Sequence, residues 1–267
     1  MGDIVRRKWM TMMDLNVGDV ESVYGGPVGL IWELLAGKDS KADLDAPWER
    51  AGLDGTTRVL VLLAGPGGLA RAITRKYGAT VIGLVTIPQM VDEAVRRTEE
   101  AGLTGRTDFQ QGNALDMPFH DGIFDGVRGR DAWCYVTDKD RMVSEVFRVL
   151  KPGGTLAFTD WVQVRASDDE WHTPDTFRIY PYFETIESYA GLLERNGFVV
   201  TDRGEVPGDP ARQIREIRER LEHDHKEAVV GLFGEEAYED ALRGLGLWEK
   251  AAEQGLVGRG WLLARKP

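Results

Sequence analysis

A hydrophobic run that breaks into glycines holds the first residues whose spacing could do chemistry. Residues 59–72 read VLVLLAGPGGLARA, so the apolar run leads directly into Gly65, Gly67 and Gly68 before an amphipathic helix begins. Glycines at a strand-to-helix turn let the backbone approach a ligand closely, and the first turn of the helix offers unpaired N–H groups. The stretch therefore predicts a binding loop for a nucleotide-type cofactor.

A second group of chemically capable side chains follows a later apolar stretch, where Arg128, Arg130, Asp131 and Tyr135 lie close together in the chain. Arg130 could bind an anion or polarise a carbonyl of a substrate; alternatively it pairs with Asp131, and Arg128 pairs with a surface carboxylate. Tyr135 could donate a hydrogen bond to that carbonyl or only form a wall. His172 titrates near neutral pH and is a candidate acid or base, or an incidental loop histidine.

Aromatic residues are dense in the N-terminal segment and after the predicted fourth and fifth strands. We expect at least half of them to belong to the core, and the others to form an apolar pocket for a flat, greasy or cationic small molecule. The candidate substrate-binding residues are Tyr24, Trp32, Trp133, Trp161, Tyr180 and Tyr182.

The composition excludes several classes of protein. The chain has 267 residues and a formal net charge of -11 at pH 7, which disfavours a nucleic acid or an acidic membrane as partner. The single cysteine, Cys134, excludes an internal disulfide, fits a reducing cytosol and lacks an evident base partner, so we interpret it as a small buried residue. No stretch reads as a signal peptide or a membrane span, and we expect a cytoplasmic protein.

The histidines do not predict a metal site. His120 stands alone, and His223 and His225 lack the i, i+4 spacing that a helical metal site requires. We therefore expect no metal.

The candidate residues fall within an alternation of apolar strands and amphipathic helices that begins at Thr57 and predicts a parallel sheet with helices on both faces. Predicted helices cover 67–78, 87–102, 138–150 and 187–197. The predicted strands are 57–64, 79–86, 106–114, 122–130, 155–162, 198–204 and 255–267.

Two segments fall outside this alternation. Residues 1–50 are predicted to be helical, and residues 209–253 are predicted to form two charged helices before the last strand. Neither has a sheet of its own, so we interpret them as an N-terminal helical cap and a helical insert on a single domain, 1–267. They should lie at the carboxyl ends of the strands, where open α/β sheets bind ligands.

The ordered motifs AGPGG, GNALDMPF, GIFDGV, DKDRMVSEVFRVLKPGG and ARKP resemble those of the class I S-adenosylmethionine-dependent methyltransferases, over nearly the whole chain. The stretches VYGGPVGLIWELLAG and GRDAWCYVTDK are similar to the small-molecule branch that includes sarcosine/dimethylglycine and tocopherol-type methyltransferases. The resemblance implies an α/β, Rossmann-like sheet of seven strands with the last strand antiparallel, and it places Asp131, Trp133 and Tyr135 beside the reaction chamber. The cofactor-binding positions that it implies are Leu63, Ala64, Gly65, Gly67, Val85, Asn113 and Ala114.

Some of these positions depart from the family pattern. Val61 stands where the family pattern has an acid on the first strand, and Leu63 replaces the first glycine of the loop. Val85 stands where the pattern has the ribose-binding acid at the end of the second strand. Asn113 is a milder change, because an amide can still meet the adenine edge. A buried hydroxyl or amine that loses its partner costs about 1–3 kcal/mol. The eroded motif therefore predicts weakened binding of S-adenosylmethionine.

Three hypotheses for the function remain open. The first is a methyltransferase-fold enzyme with no essential cofactor, which encloses a small, largely apolar natural-product intermediate and promotes its cyclisation, isomerisation or a similar rearrangement. The second is an S-adenosylmethionine-dependent N-, O- or C-methyltransferase of a small molecule. The third is a non-catalytic partner of an active methyltransferase. The sequence favours the first and leaves open whether the protein forms a homo-oligomer, whereas the third predicts a stable heteromer.

Overall fold

The computed structural model describes residues 52–86, 88–165 and 183–267, which form one seven-stranded sheet with helices around it. The strands at the centre of the sheet are largely buried, as expected where helices cover both faces. The strands are β1 (Arg58–Val61), β2 (Thr80–Val85), β3 (Thr107–Gln111), β4 (Phe124–Arg130), β5 (Leu150–Gln163), β6 (Val199–Glu205) and β7 (Val257–Arg265).

The helices alternate with the strands as the sequence predicts. In the described ranges, no helix is both long enough and apolar enough to cross a bilayer. A 3-10 turn, Trp133–Tyr135, stands between β4 and the third helix. The helices are α1 (Gly68–Tyr77), α2 (Pro88–Glu100), α3 (Lys139–Val149), α4 (Ile186–Arg195), α5 (Pro210–Asp224), α6 (Lys226–Phe233) and α7 (Glu235–Glu253).

The strand order is β3-β2-β1-β4-β5-β7-β6, and β7 runs antiparallel to both of its neighbours. The other neighbouring strands are parallel, so β1 to β5 end at the same edge of the sheet. The predicted Rossmann-like sheet with an antiparallel last strand is confirmed. The order reverses direction beside β1, and this edge is where open α/β sheets bind ligands.

Three element boundaries differ from the sequence prediction. β1 ends at Val61 because Leu63 adopts a left-handed conformation, with φ 53°, that extended strands do not contain. β5 begins already at Leu150, which pairs with Phe124 across an irregularity in the ladder. The first predicted helix of the insert is divided at His225, whose φ of −129° and ψ of 0° are not helical.

The core lies in layers on the two faces of the sheet and beneath the insert. On the face that carries α1 and α2, Val61 and Val85 pack with apolar residues of α1. On the opposite face, the core joins β4 and β5 to α3 and α4. A third cluster packs Tyr135 and Trp161 against the insert, including Trp248 of α7. The insert therefore contacts the carboxyl ends of β4 and β5, as the sequence predicts; residues 1–50, the predicted N-terminal cap, lie outside the described residues.

Candidate cofactor and active site

The loop between β1 and α1, residues 62–67, keeps the backbone of a glycine-rich binding loop. Leu63, Gly65 and Gly67 have φ values of 53°, 50° and 84°, in the left-handed region that favours glycine. The N–H groups of Leu62 and Ala64 donate to Arg128 O at 2.7 Å and to Leu84 O at 2.9 Å. These bonds fix the loop to β4 and β2 on either side, so Leu63 holds a conformation that costs a branched residue about 1–2 kcal/mol.

The space beneath this loop is tightly packed. A Cβ atom added to Gly67 would overlap the ring of Phe109 and would come within 2.8 Å of Arg71 Nη1. Arg71 is buried, and its Nη1 donates to Pro66 O at 2.8 Å. The loop therefore rests on an aromatic ring from β3 and a guanidinium from α1, and Gly67 is required for both contacts.

The ends of β1 and β2 present apolar side chains where the family pattern has acids. Val61 and Val85 are both 1% exposed and belong to the core, so neither position offers a ligand an oxygen. Thr86, directly after Val85, is 9% exposed, and its hydroxyl has no hydrogen-bond partner within the described ranges. A buried hydroxyl without a partner costs free energy unless a ligand supplies one, so Thr86 is the polar group that this strand end offers.

The loop after β3 is ordered by Asn113. Its Oδ1 accepts from the Leu115 N–H at 2.8 Å, and its backbone bridges to Asp116. Ala114 is fully buried in the core. Asn113 thus shapes the loop that the resemblance assigns to the adenine, while Ala114 acts through packing.

Asp131 occupies a strained position at the carboxyl end of β4, with φ 52°. Its Oδ2 accepts from Arg259 Nη2 at 2.7 Å, and its Oδ1 accepts from Thr159 Oγ1 at 3.0 Å. The predicted pairing of Asp131 with Arg130 is therefore wrong, because the ion-pair partner of Asp131 is Arg259 of β7. Arg259 was missed because it lies far along the chain on an antiparallel strand. A signal was present, since it is the one charged residue inside the run VGRGWLLA.

The two arginines of β4 have different environments. Arg128 is fully buried, and it donates to Thr155 O at 2.9 Å and to Thr155 Oγ1 at 3.0 Å. The alternative of a surface carboxylate partner for Arg128 is wrong, because the side chain points into the sheet core. Burial lowers the pKa of its guanidinium to about 9, so the group stays protonated at neutral pH. Arg130 is half-buried at the strand end, opposite Thr159 of β5, and its contact with a substrate stays a prediction.

Burial separates the candidate aromatic residues. Trp133 is fully buried and stacks on Phe158, with ring centroids 4.0 Å apart, so it packs in the core, and its contact with a substrate stays a prediction. Trp161 packs on Trp248 with ring centroids 4.9 Å apart. Tyr135 shares this cluster and is also buried, so both form the boundary between the sheet edge and the insert.

Several candidate residues lie outside the described residues, namely Tyr24, Trp32, His172, Tyr180 and Tyr182.

The described histidines do not form a metal site. Of the residues that the structure describes, no three His, Cys, Asp or Glu side chains are grouped to hold a metal ion. His223 Nδ1 makes a 2.6 Å hydrogen bond to Glu219 O within α5.

Comparison with known proteins identifies the fold family of the chain. The model of the methyltransferase domain matches residues 60–158, which contain the loop, the ends of β1 to β4 and most of β5. Residues 60–158 therefore form a methyltransferase domain, and the seven-stranded sheet has the fold of the class I methyltransferases. The matched range includes Val61, Leu63 and Val85, so the departures from the pattern lie inside the recognised domain.

Curated relatives and a solved structure agree with this assignment. A 24-methylenesterol C-methyltransferase 2 of Oryza sativa is 39% identical over 161 residues, 58% of this chain and 44% of the relative. A glycine/sarcosine/dimethylglycine N-methyltransferase of Actinopolyspora halophila is 29% identical over 214 residues, 78% of this chain and 37% of the relative. The chain thus spans less than half the length of these two relatives. The 4+2 cyclase SpnF is 26% identical with a TM-score of 0.75, covering 90% of this chain and 93% of its own.

Proposed function

We propose that this methyltransferase-superfamily protein is an S-adenosylmethionine-dependent methyltransferase of a small molecule. The observation that carries the proposal is the backbone of residues 62–67. Leu63, at the position where the family pattern has a glycine, adopts a left-handed conformation with φ 53°, although this conformation costs a leucine about 1–2 kcal/mol. A loop with no ligand to bind has no evident reason to keep that strain.

The residues of the loop fit the cofactor in part. The first turn of α1 presents N–H groups to a ligand, and the orphaned Thr86 hydroxyl stands beside the strand end where the family pattern places the ribose-binding acid. Asn113 and Ala114 would border the adenine. When bound, S-adenosylmethionine supplies a methyl group carried on a positively charged sulfur. Val61 is the main misfit, because its side chain offers no oxygen.

The side chains at the end of β4 would orient the substrate. Asp131 is held by Arg259 and Thr159, so its carboxylate is a fixed acceptor for an N–H or O–H group. Arg130 would bind an anionic or carbonyl oxygen. Trp161 and Tyr135, packed on the insert, would exclude water on the same side. This arrangement suits a largely apolar small molecule with one polar group to be modified.

The proposal is tested by titrating S-adenosylmethionine and S-adenosylhomocysteine into the purified protein by calorimetry. We expect saturable binding, and we expect Thr86→Val to weaken it about fivefold because one hydrogen bond of about 1 kcal/mol is lost. Thr98→Val is the matched control, because the Thr98 hydroxyl of α2 is also buried and has no partner within the described ranges. No heat at millimolar cofactor, or equal weakening by both variants, contradicts the proposal.

The buried valines favour a second candidate, a rearrangement of a small apolar intermediate that needs no cofactor. Val61 and Val85 stand where the family pattern has its two acids, so the ends of β1 and β2 offer the cofactor no carboxylate. The name of SpnF, 26% identical to this chain, states a ring-forming reaction on the same fold. This candidate would be supported if the natural protein gives no binding heat in the titration and the double variant Val61→Asp/Leu63→Gly binds the cofactor. Turnover of an identified substrate should then fall in Arg130→Gln and should not respond to added S-adenosylmethionine.

A further inference from the structure

One carboxyl group is completely enclosed next to the candidate site. Asp160, on β5, is 0% exposed. Its Oδ2 accepts a hydrogen bond from Tyr189 Oη of α4 at 2.6 Å. In the described ranges its Oδ1 has no hydrogen-bond partner of ordinary geometry. An ionised carboxylate needs more donors than this, so the enclosure favours the protonated form.

The surrounding charges do not remove this preference. Lys139 of α3 is the nearby cation, but its Nζ donates to Val136 O at 2.7 Å. Asp131, directly after β4, adds a like charge, and the Cys134 thiol faces the same carboxyl as a weak donor. Glu184, before α4, is a negative neighbour of Tyr189 and Lys139, and β7 presents only Gly260 opposite Asp160. Burial is the largest effect and raises the pKa of Asp160 to about 7.

Asp160 lies where two elements of the site meet. Cys134 belongs to the turn Trp133–Tyr135, and the neighbouring Trp133 contacts the rings of both Phe158 and Tyr189. The Asp160 carboxyl therefore stands between this turn and α4. The turn follows directly on Asp131 and carries Tyr135, so any movement of the turn changes the edge of the site.

We propose that Asp160 is a positioning residue whose protonation state controls the packing of the turn Trp133–Tyr135. While Asp160 is protonated, the turn stays packed against β5 and α4, and loss of the proton favours release of the turn. The reason is linkage. A carboxyl that binds its proton more tightly when enclosed than when hydrated must, once ionised, shift the equilibrium toward the state in which water reaches it. The released fraction should rise by up to tenfold per pH unit between the ordinary pKa of 3.8 and the raised pKa of about 7, and it should be constant above that range.

The single cysteine of the chain reports this release directly. Cys134 is fully buried in the turn, so an alkylating reagent such as iodoacetamide reacts only when the turn opens. The experiment measures the labelling rate of the native protein and divides it by that of the urea-unfolded protein at the same pH, which removes the ordinary titration of the thiol. The ratio should rise by up to tenfold per unit between about pH 4 and pH 7 and should be flat above pH 7.

Two variants give the experiment its controls. Asp160→Asn cannot ionise, so its ratio should stay flat over the same pH range. Lys139→Met removes the cation that opposes the preference for the proton, so the rise should continue to a higher pH before the ratio becomes constant. This shift is a readout that a merely structural role would not produce, and it keeps the test decisive if Asp160→Asn fails to fold.

Three results would overturn the proposal. One is a flat ratio in the natural protein, and another is the same rise in Asp160→Asn. The third is an opening constant equal to the unfolding constant from urea denaturation at each pH, because labelling would then occur through global unfolding and not through the turn. None of these measurements requires S-adenosylmethionine or a substrate, so their outcome is independent of the proposed function.

Discussion

Leu63 and Asp131 are the two non-glycine residues with positive φ in the part of the chain that the structure describes. Both follow strands that end at the same edge of the sheet. Each such conformation costs about 1–2 kcal/mol and persists only where the surroundings impose it. Hydrogen bonds to β2 and β4 impose it on the loop around Leu63, and Arg259 with Thr159 fixes Asp131. Backbone strain is therefore concentrated at the candidate site.

Two glycines with the same φ separate packing from backbone strain. Gly67 and Gly105 both have φ 84°, but an added Cβ meets Phe109 and Arg71 only at Gly67, and nothing within 4 Å at Gly105. We expect Gly105→Ala to lower the free energy of unfolding by about 1 kcal/mol through backbone strain alone. Gly67→Ala should lower it by about 3 kcal/mol because overpacking is added. Urea denaturation measures both values, and equal losses would show that Phe109 yields without cost.

The pair between Asp131 and Arg259 should be energetically coupled. The side chains are 25% and 8% exposed, so water screens the pair little. In a double-mutant cycle with Asp131→Asn and Arg259→Met, we expect a coupling free energy of about 1–2 kcal/mol in urea denaturation. The exposed pair of Arg195 and Asp140 is the control and should give less than about 0.5 kcal/mol. Additive effects at Asp131 and Arg259 would contradict a fixed carboxylate.

At the scale of residues, local patterns could be predicted and distant partners could not. The glycine loop and the strand-end position of Arg130 and Asp131 follow from hydrophobic runs and their interruptions. The stack of Trp133 on Phe158 could not be predicted, because it depends on the pairing of β4 with β5. Arg259 and Asp160 contact residues that are distant in the chain and that only the fold brings close. Their residue types alone therefore gave no reason to include them in the candidate site.

One glutamate connects two helices of the insert, α5 and α7. Glu249 of α7 accepts from Arg215 Nε and from Arg218 Nε of α5, at 2.5 and 3.0 Å. The two arginines lower the pKa of Glu249 despite its burial, so this stabilisation is present above the ordinary pKa of 4.5 and is lost as the pH falls below it. The contact between α5 and α7 therefore depends on one buried carboxylate with two partners.

Removing that charge should loosen the insert. At pH 7 we expect Glu249→Gln to lower the melting temperature by about 2–4 °C, a loss near 1 kcal/mol for a chain of this size. Glu216→Gln breaks the exposed pair with Arg212 and is the matched control, with a change below about 1 °C. The difference between the two variants should shrink as the pH falls below 4.5, because Glu249 loses its contribution when it becomes protonated. Equal melting temperatures at pH 7 would show that apolar packing alone holds the insert.

At the scale of elements, the strands and helices from β1 to α4 could be predicted because their periods and stop signals are strong. Gly78 ends α1 with φ 70°, and Pro88 opens α2, as the sequence indicates. The division of the insert at His225 could not be predicted, because α5 and α6 form one continuous run without glycine or proline at their junction. The early start of β5 depends on its pairing with Phe124 and has no local signal.

For the whole molecule, the enclosed carboxyl predicts an unusual dependence of stability on pH. Folding raises the pKa of Asp160 from 3.8 to about 7, so the folded state binds the extra proton between these values. The contribution of this group to the free energy of unfolding therefore falls as the pH rises from 4 to 7, by up to about 1.4 kcal/mol per unit. In urea denaturation from pH 5 to 8, Asp160→Asn should gain stability relative to the natural protein as the pH rises. Parallel curves would exclude an acid with a raised pKa at this position.

The position of β7 has a consequence for how the sheet is completed during synthesis. β7 lies between β5 and β6, although it follows β6 by roughly 50 residues in the chain. At about 5–20 residues per second, a ribosome needs several seconds to make that interval. During this time the free edges of β5 and β6 present unpaired backbone groups that neighbouring nascent chains could pair with. Slow translation through the insert would prolong this exposure, so the yield of soluble protein should depend on codon choice in residues 206–256.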